Sequence, residues 1–268
     1  MEHLPDRERG GFFGEIGNNL AADRDAPRGS VIPTRVLWTF SAAYRLYGNP
    51  EYREMADFAL EDVVTRFWDK QHGGLYWTIT ADGEPLDDRK QIYAQVFGIY
   101  ALSEYARATG GRPALERAIK LFQLIEEHAH DPEFGGYFEA CTADWQLHGP
   151  DVPSVMGAIG AKSQNTHLHA MEACTNLLRV WPNEQLREKQ RALVGIMLDR
   201  ILNPDTNHLH LFLAADWTPV SKAFSFGHDI QNGARVATNG DLRLGPTPGQ
   251  WQPVPKVGER QVDRAAQE

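Results

Sequence analysis

A seven-residue string that returns at a near-constant interval does most to constrain this chain. Asp6-Arg-Glu-Arg-Gly-Gly-Phe12 recurs as Asp69-Lys-Gln-His-Gly-Gly-Leu75 and as Asp131-Pro-Glu-Phe-Gly-Gly-Tyr137, at spacings of 63 and 62 residues. A looser copy, Asn203-Pro-Asp-Thr-Asn-His-Leu209, follows 72 residues later. A period of this size marks a repeat architecture, in which one supersecondary unit stacks on copies of itself.

The residues between the copies are also alike. A short aromatic strand such as Leu75-Tyr-Trp-Thr-Ile79 leads to a turn such as Ala81-Asp-Gly-Glu-Pro85, where Asp-Gly signals a hairpin. A helix follows, then a breaker: Gly48-Asn-Pro50, Gly110-Gly-Arg-Pro113 or Trp181-Pro-Asn183. A second helix leads to the next copy. Tyr52, Met55, Ala56, Ala59, Leu60, Val63 and Val64 keep the helical apolar spacing, as do Leu115, Ala118, Ile119, Phe122 and Ile125. Val36, Phe40, Ala43 and Tyr47 mark the helix before the first breaker. Three helix pairs are therefore predicted between residues 33 and 202. Such pairs cannot bury their apolar faces alone, so they must stack on neighbours, as a solenoid or as a closed α/α toroid. Long hairpins at one end favour the toroid, with the hairpins roofing a site.

The stretch Gln164-Asn-Thr-His-Leu-His-Ala-Met-Glu172 is the chemically richest. Asn165, His169 and Glu172 stand at i, i+4 and i+7 and share one helix face, backed by Leu168, Met171, Cys174, Leu177 and Leu178. His167 and His169 are two apart and point to different sides, which does not suit a metal chelated by the pair. A hydrogen-bonded core histidine explains His169 alone equally well. Arg35, Tyr93, Asn165, His169 and His228, however, all fall in, or within about two turns of, the predicted start of a helix that follows a hairpin. A closed toroid brings those starts together at one end of its cavity, where a polar pocket is expected.

The formal net charge is −9 and there is no basic run, so neither nucleic acid nor an anionic membrane is an expected partner. No apolar run is long enough to span a bilayer, and the residues after Met1 have no apolar core of a signal peptide, so the expected location is the cytoplasm. Cys141 and Cys174 provide neither a disulfide framework nor a metal motif.

Several strings together resemble the cellobiose 2-epimerase branch of the N-acylglucosamine 2-epimerase family. They are Thr34-Arg-Val-Leu-Trp-Thr-Phe-Ser-Ala-Ala-Tyr44, Gln91-Ile-Tyr-Ala-Gln95, Asn165-Thr-His-Leu-His169, Asn176-Leu-Leu-Arg-Val-Trp-Pro182 and Gly227-His-Asp-Ile230. The resemblance covers roughly residues 5 to 230. It implies an all-α fold, an (α/α)6 barrel, incomplete here, and an enzyme that needs no cofactor and no metal. It implies inversion at C2 of the reducing-end glucose of cellobiose or a related β-1,4 disaccharide, giving a mannose unit. N-acylglucosamine 2-epimerase and mannose isomerase are the neighbouring activities within the family. By the same resemblance His228 is one of two acid/base histidines, and His169 assists ring opening. Arg35, Tyr93 and Asn165 hold the oxygens at C1 and C2. The family's glutamate three residues after the first histidine is Gln231 here.

The family's second histidine and its sugar-stacking tryptophans belong to later repeats than those found here. After Ile230 a fourth inner helix is due, but Gln231-Asn-Gly-Ala-Arg-Val-Ala-Thr-Asn-Gly240 and the prolines at 246, 248, 253 and 255 carry no apolar period. The expected organisation is a partial barrel over 1–230 and a disordered, non-family tail over 231–268, as a frameshift or a mis-set gene end produces. Two other functions fit a toroid. One is glycoside hydrolysis by a carboxylate pair, with Asp229 and Glu172 as candidates. The other is a carbohydrate-binding fragment without catalysis.

Overall fold

The computed structural model describes residues 3–148 and 160–231. The three predicted helix pairs are present. They are α1 (Val31–Tyr47) with α2 (Pro50–Asp62), α3 (Ile92–Thr109) with α4 (Arg112–His128), and α5 (Gln164–Leu178) with α6 (Glu184–Ile196). The last turns of α2 and α6 widen into π geometry over Val63–Phe67 and Met197–Ile201, which the apolar period did not reveal. Helices α1, α3 and α5 pack in a row, and each of α2, α4 and α6 packs on its own partner. Burial separates the rows. Nearly every residue of α3 and α5 is buried, whereas α4 and α6 bury a single stripe.

The breakers work through backbone chemistry. Gly48 and Gly110 adopt left-handed φ values of 68° and 72° and close α1 and α3 by donating to Tyr44 and Ala106 carbonyls. Asn49 then caps α2, its Oδ1 accepting from the Glu51 N–H at 3.0 Å, with Pro50 in the first turn.

The repeated string is a loop held by the same backbone hydrogen bonds in all four copies. Asp6, Asp69, Asp131 and Asn203 each accept two backbone N–H groups at Oδ1, from the residues two and three positions on. Their own N–H groups donate to the carbonyls of Gly11, Gly74, Gly136 and His208. In the first three copies both glycines have φ between 73° and 81°, a region closed to most side chains.

The second carboxylate oxygen of each aspartate meets a buried cation: Arg28 on Asp6 at 2.6 Å, Lys90 on Asp69 at 2.6 Å and Lys162 on Asp131 at 2.7 Å. Burial opposes the charge on Asp69. The Lys90 ammonium and the N–H groups of His72 and Gln71 outweigh it and hold the carboxyl below its ordinary range. In the fourth copy the acid is Asn203, and the position matching Lys90 and Lys162 is Phe224. Both charges are gone together.

The hairpins differ from expectation in their pairing. The strands are only two or three residues long; β4 covers Thr78–Ile79, not the whole of Leu75–Ile79, because Leu75 makes one isolated bridge to Trp68. Within a copy, β1 (Glu15–Ile16) pairs with β2 (Ala22–Asp23) and β4 with β5 (Pro85–Asp87), and in the third and fourth copies the hairpin closes by a single bridge, Cys141 to Leu147 and Leu213 to Pro219. The other pairs join one repeat to the next: β3 (Arg28–Gly29) to β4, β6 (Lys90–Gln91) to β7 (Ala140–Cys141), and β8 (Lys162–Ser163) to β9 (Phe212–Leu213). Two tryptophans that the sequence reading passed over add to this stitching. The Nε1–H of Trp145 donates to the His72 and Gly73 carbonyls, and that of Trp217 to Phe134.

After β9 a short helical turn spans 226–231. Gln231 is thus helical, contrary to the expectation that non-helical chain starts there. The remainder of the expected tail, 232–268, lies outside the described residues. No helix among the described residues is long and apolar enough to cross a membrane.

The buried pairs are testable. Lys90→Leu leaves the Asp69 carboxylate buried without its cation and is expected to cost about 3–5 kcal/mol in urea unfolding. Adding Asp69→Asn, which copies the neutral fourth loop, is expected to recover a substantial part of that loss. A double variant no more stable than Lys90→Leu contradicts the reading.

Candidate active site

The starts of α1, α3 and α5 lie side by side, so the candidates they carry meet. Arg35 is the fifth residue of α1, Tyr93 the second of α3, and Asn165 and His169 the second and sixth of α5. The Arg35 guanidinium donates to the Tyr93 hydroxyl at 3.0 Å and lies over the Phe97 ring, 4.3 Å from its centroid. The edge of Tyr93 meets His169 at 5.3 Å between centroids, and Phe97 meets it at 4.6 Å. His169 is held from the other side, its Nδ1 2.8 Å from Glu172 Oε2, as expected for residues sharing a helix face. Glu172 also accepts from Gln231 Nε2 at 3.2 Å. The carboxylate orients the imidazole with Nδ1 protonated, which leaves Nε2 as an acceptor.

A cleft of about 180 Å³ is lined by Arg35, Trp38 and Thr39 of α1, Phe97 and Tyr100 of α3, His169 and Glu172 of α5, and Gln231. Of the five sequence candidates, Arg35 and His169 line it directly. Tyr93 touches both. Asn165 sits one helical turn before His169, buried, and its Oδ1 makes no hydrogen bond. His228, in the turn 226–231, has a buried Nδ1 without a hydrogen bond. Its pKa is lowered from the ordinary histidine value by burial and then by the charge of His169, with Asp229 opposing.

The sequence reading missed the aromatic wall. Trp38 and Tyr100 stack at 5.0 Å. Trp38 lies three residues after Arg35, and Phe97 four after Tyr93, so helical spacing from the chosen residues would have found both. His167 takes a different role, as its opposite orientation implied. Its Nε2 accepts the Tyr137 N–H at 3.0 Å, and its Nδ1 sits 2.7 Å from the Ser163 carbonyl. Burial drives its pKa down to about 4 and keeps it neutral. The proposed carboxylate pair is not formed. Glu172 faces His169 and Gln231, while Asp229 binds His208 and the Leu209 N–H. Among the described residues no group of three or more His, Cys, Asp or Glu side chains could hold a metal ion.

One further buried acid stands next to the site. Glu139 joins the starts of α3 and α5: its carbonyl accepts the Ile92 N–H at 2.9 Å, and its Oε2 accepts from Thr166 Oγ1 at 3.1 Å. The matching positions in other copies are Trp77 and Leu211, which provide only the backbone bond, to Ser30 and Gln164. A carboxyl that only one copy carries serves something other than the repeat. Burial pushes it up to about 7, against the bonds from Ser163 and Thr166. Lining up the four strings would have exposed this exception.

Three comparisons with known proteins bear on this arrangement. The family model of N-acylglucosamine 2-epimerase (GlcNAc 2-epimerase) matches residues 11–230, a range that includes all five candidates. The chain belongs to that family. It is 44% identical over 231 residues to a cellobiose 2-epimerase of Bacteroides fragilis, covering 86% of this chain and 59% of that protein. It is 35% identical to a cellobiose 2-epimerase of Dictyoglomus turgidum, again covering 86% and 59%. The solved cellobiose 2-epimerase of Bacillus thermoamylovorans B4167 superposes with a TM-score of 0.85 at 35% identity, over 90% of this chain and 62% of that one. This N-acylglucosamine 2-epimerase relative thus spans about three-fifths of the length of the proteins it matches, and its three helix pairs are part of an (α/α)6 barrel.

The elevated Glu139 predicts a pH dependence with a definite sign. Its folded value, about 7, lies above the ordinary 4.5, so the neutral acid favours folding. That contribution is complete below pH 4.5 and is lost as pH rises through 7, by at most about 3 kcal/mol. Glu139→Gln is expected to flatten the decline in stability between pH 5 and 8, measured by urea unfolding at each pH. A variant with the same slope as wild type shows that Glu139 does not hold the proton.

Proposed function

We propose that the chain carries part of the site of a sugar 2-epimerase, acting on the reducing-end glucose of cellobiose or a related β-1,4 disaccharide. The observation that carries this reading is the cleft lined by Arg35 and His169, closed by Gln231 of the same short turn that bears His228. The His169 imidazole is oriented by Glu172, with Arg35 bonded to Tyr93 beside it, and His228 has a buried Nδ1 without a hydrogen bond.

The chemistry explains the choice of side chains. The C2 hydrogen becomes acidic only when the sugar ring is open and C1 is an aldehyde. His169, with Nδ1–H bound to Glu172, presents Nε2 to accept the hydroxyl proton at C1 as the ring opens. His228 removes the C2 proton, and its lowered pKa keeps it neutral and ready as a base at neutral pH. The negative charge that develops on the enediolate oxygens needs donors fixed in advance. Arg35 and Tyr93 are fixed by their mutual bond and by Phe97, and Asn165 offers its side chain one turn away. Inversion then requires an acid on the opposite face to return the proton. Trp38 and Tyr100 provide aromatic surface for the apolar face of a pyranose ring. The relatives named cellobiose 2-epimerase support the disaccharide. The reading takes the domain as residues 1–230 and the cytoplasm as its location.

The test uses this chain joined to the part of the Bacteroides fragilis relative that it does not match, incubated with cellobiose in heavy water. Deuterium is expected at C2 of the reducing-end sugar, together with the mannose epimer. His228→Ala is expected to abolish both. Arg35→Ala is expected to slow both by about 3 kcal/mol in the barrier, the usual cost of one oxyanion donor. Epimerisation by His228→Ala at the wild-type rate would show that His228 is not the acid/base group.

A further inference from the structure

The four copies of the loop share one feature that explains how the fourth differs. In copies two to four the N–H after the second glycine position is bound by a side chain from the following inner helix. Gln95 Oε1 takes the Leu75 N–H at 2.8 Å, and Gln95 Nε2 returns a bond to the Leu75 carbonyl at 2.8 Å. His167 Nε2 takes the Tyr137 N–H at 3.0 Å, and Asp229 Oδ1 takes the Leu209 N–H at 2.9 Å. Gln95, His167 and Asp229 lie five residues after Lys90, Lys162 and Phe224, so they occupy one position of the repeat. Each pins the start of an inner helix to its own loop, and each lies within two residues of a site candidate: Tyr93, Asn165 and His169, and His228.

The tether is one of the groups that crowd the second glycine. A Cβ at Gly74 would come 2.6 Å from the Trp145 ring and 3.0 Å from Gln95 Oε1, and one at Gly136 would come 2.6 Å from His167 Nε2 and 2.7 Å from the Trp217 ring. Tether, tryptophan and left-handed φ together favour glycine there. Asp229 is short, and the second glycine position of its loop is His208, whose ring fills the space. His208 Nδ1 lies 2.8 Å from Asp229 Oδ2, and its ring stacks on Phe224 at 4.1 Å and 16°. Asn207, in the first glycine position, keeps the left-handed φ of 60°. The Gly-Gly to Asn-His change and the Gln or His to Asp change are one exchange.

We propose that Asp229 is the positioning residue for His228, with His208 as its lateral clamp. One carboxylate oxygen fixes the helical turn 226–231 to the fourth loop, and the other is held by the imidazole. With both oxygens occupied, Asp229 cannot rotate, and the preceding residue, His228, is held with it. In the earlier copies the inner helices are pinned by neutral side chains and by long packed helices. In the fourth copy the tether is a carboxylate, itself held by the His208 imidazole.

The proposal rests on the reading of His228 as acid/base group only for its catalytic consequence, so the experiment has two arms. In this chain, NMR titration of the His228 ring and amide exchange across 226–231 report the clamp directly. In wild type the midpoint of His228 lies below the ordinary 6.5 because of burial and His169, with Asp229 opposing. Asp229→Ala and Asp229→Asn both remove the carboxylate that raises the midpoint, so they are compared with each other: Asp229→Ala, which also frees the turn, is expected to titrate above Asp229→Asn and to speed exchange across 226–231 by about tenfold over wild type. Asp229→Asn keeps an acceptor for Leu209 and is expected to retain most of the protection. His208→Gly, which recreates the second glycine, is expected to give intermediate exchange with the rest of the chain unchanged. That variant carries the test if Asp229→Ala does not fold. Equal His228 midpoints in Asp229→Ala and Asp229→Asn, with unchanged exchange in both Asp229→Ala and His208→Gly, overturn the clamp.

In the second arm, in the joined protein with cellobiose, Asp229→Ala is expected to lower kcat about a hundredfold at similar KM, with recovery in Asp229→Asn. Should His228→Ala itself epimerise normally, the proposed function fails while the first arm still decides the clamp.

Discussion

The buried aspartate of the repeated loop is the interaction on which this structure depends. One oxygen of Asp6, Asp69 or Asp131 gathers two backbone N–H groups and shapes the turn, and the other accepts a buried Arg28, Lys90 or Lys162. The cation sits just before the next inner helix, so a single carboxylate fixes both the loop and the point where the helix begins. Removing water from two charges is costly, and only the full set of hydrogen bonds makes the arrangement favourable. That is why the loop, the cation and the glycines recur as a unit, and why the fourth copy drops both charges together.

The site follows from this. Inner helices that start at the same level place their first two turns beside one another, and polar side chains there face a shared space. Arg35, Tyr93 and His169 are drawn into contact by that alignment rather than by their positions in the chain. The walls come from the same helices one turn deeper, as Trp38, Phe97 and Tyr100. The cleft so formed combines polar groups from Arg35 and His169 with aromatic walls.

The tethers connect the scaffold to the chemistry. Gln95, His167 and Asp229 do the same mechanical work with different groups. Sequence spacing already sets His167 and His169 on different sides of their helix. The structure makes one a neutral scaffold acceptor and the other a member of a carboxylate–imidazole pair, because residues two apart on a helix lie on different sides.

The sequence by itself determined the period, the three helix pairs, the breakers and the level at which the five candidates sit. These are local matters of glycine φ, capping and apolar spacing, and they are written in adjacent residues. Tertiary structure alone decided the pairing of β6 with β7 and of β8 with β9 across repeats, since strands of two residues carry no register signal of their own. It also decided the placing of Trp145 and Trp217 on glycine loops some 70–80 residues away, the burial of Glu139 between two helix starts, and the clamp of His208 on Asp229. Each of these depends on which groups meet after the repeats stack, and no local pattern encodes a partner that distant.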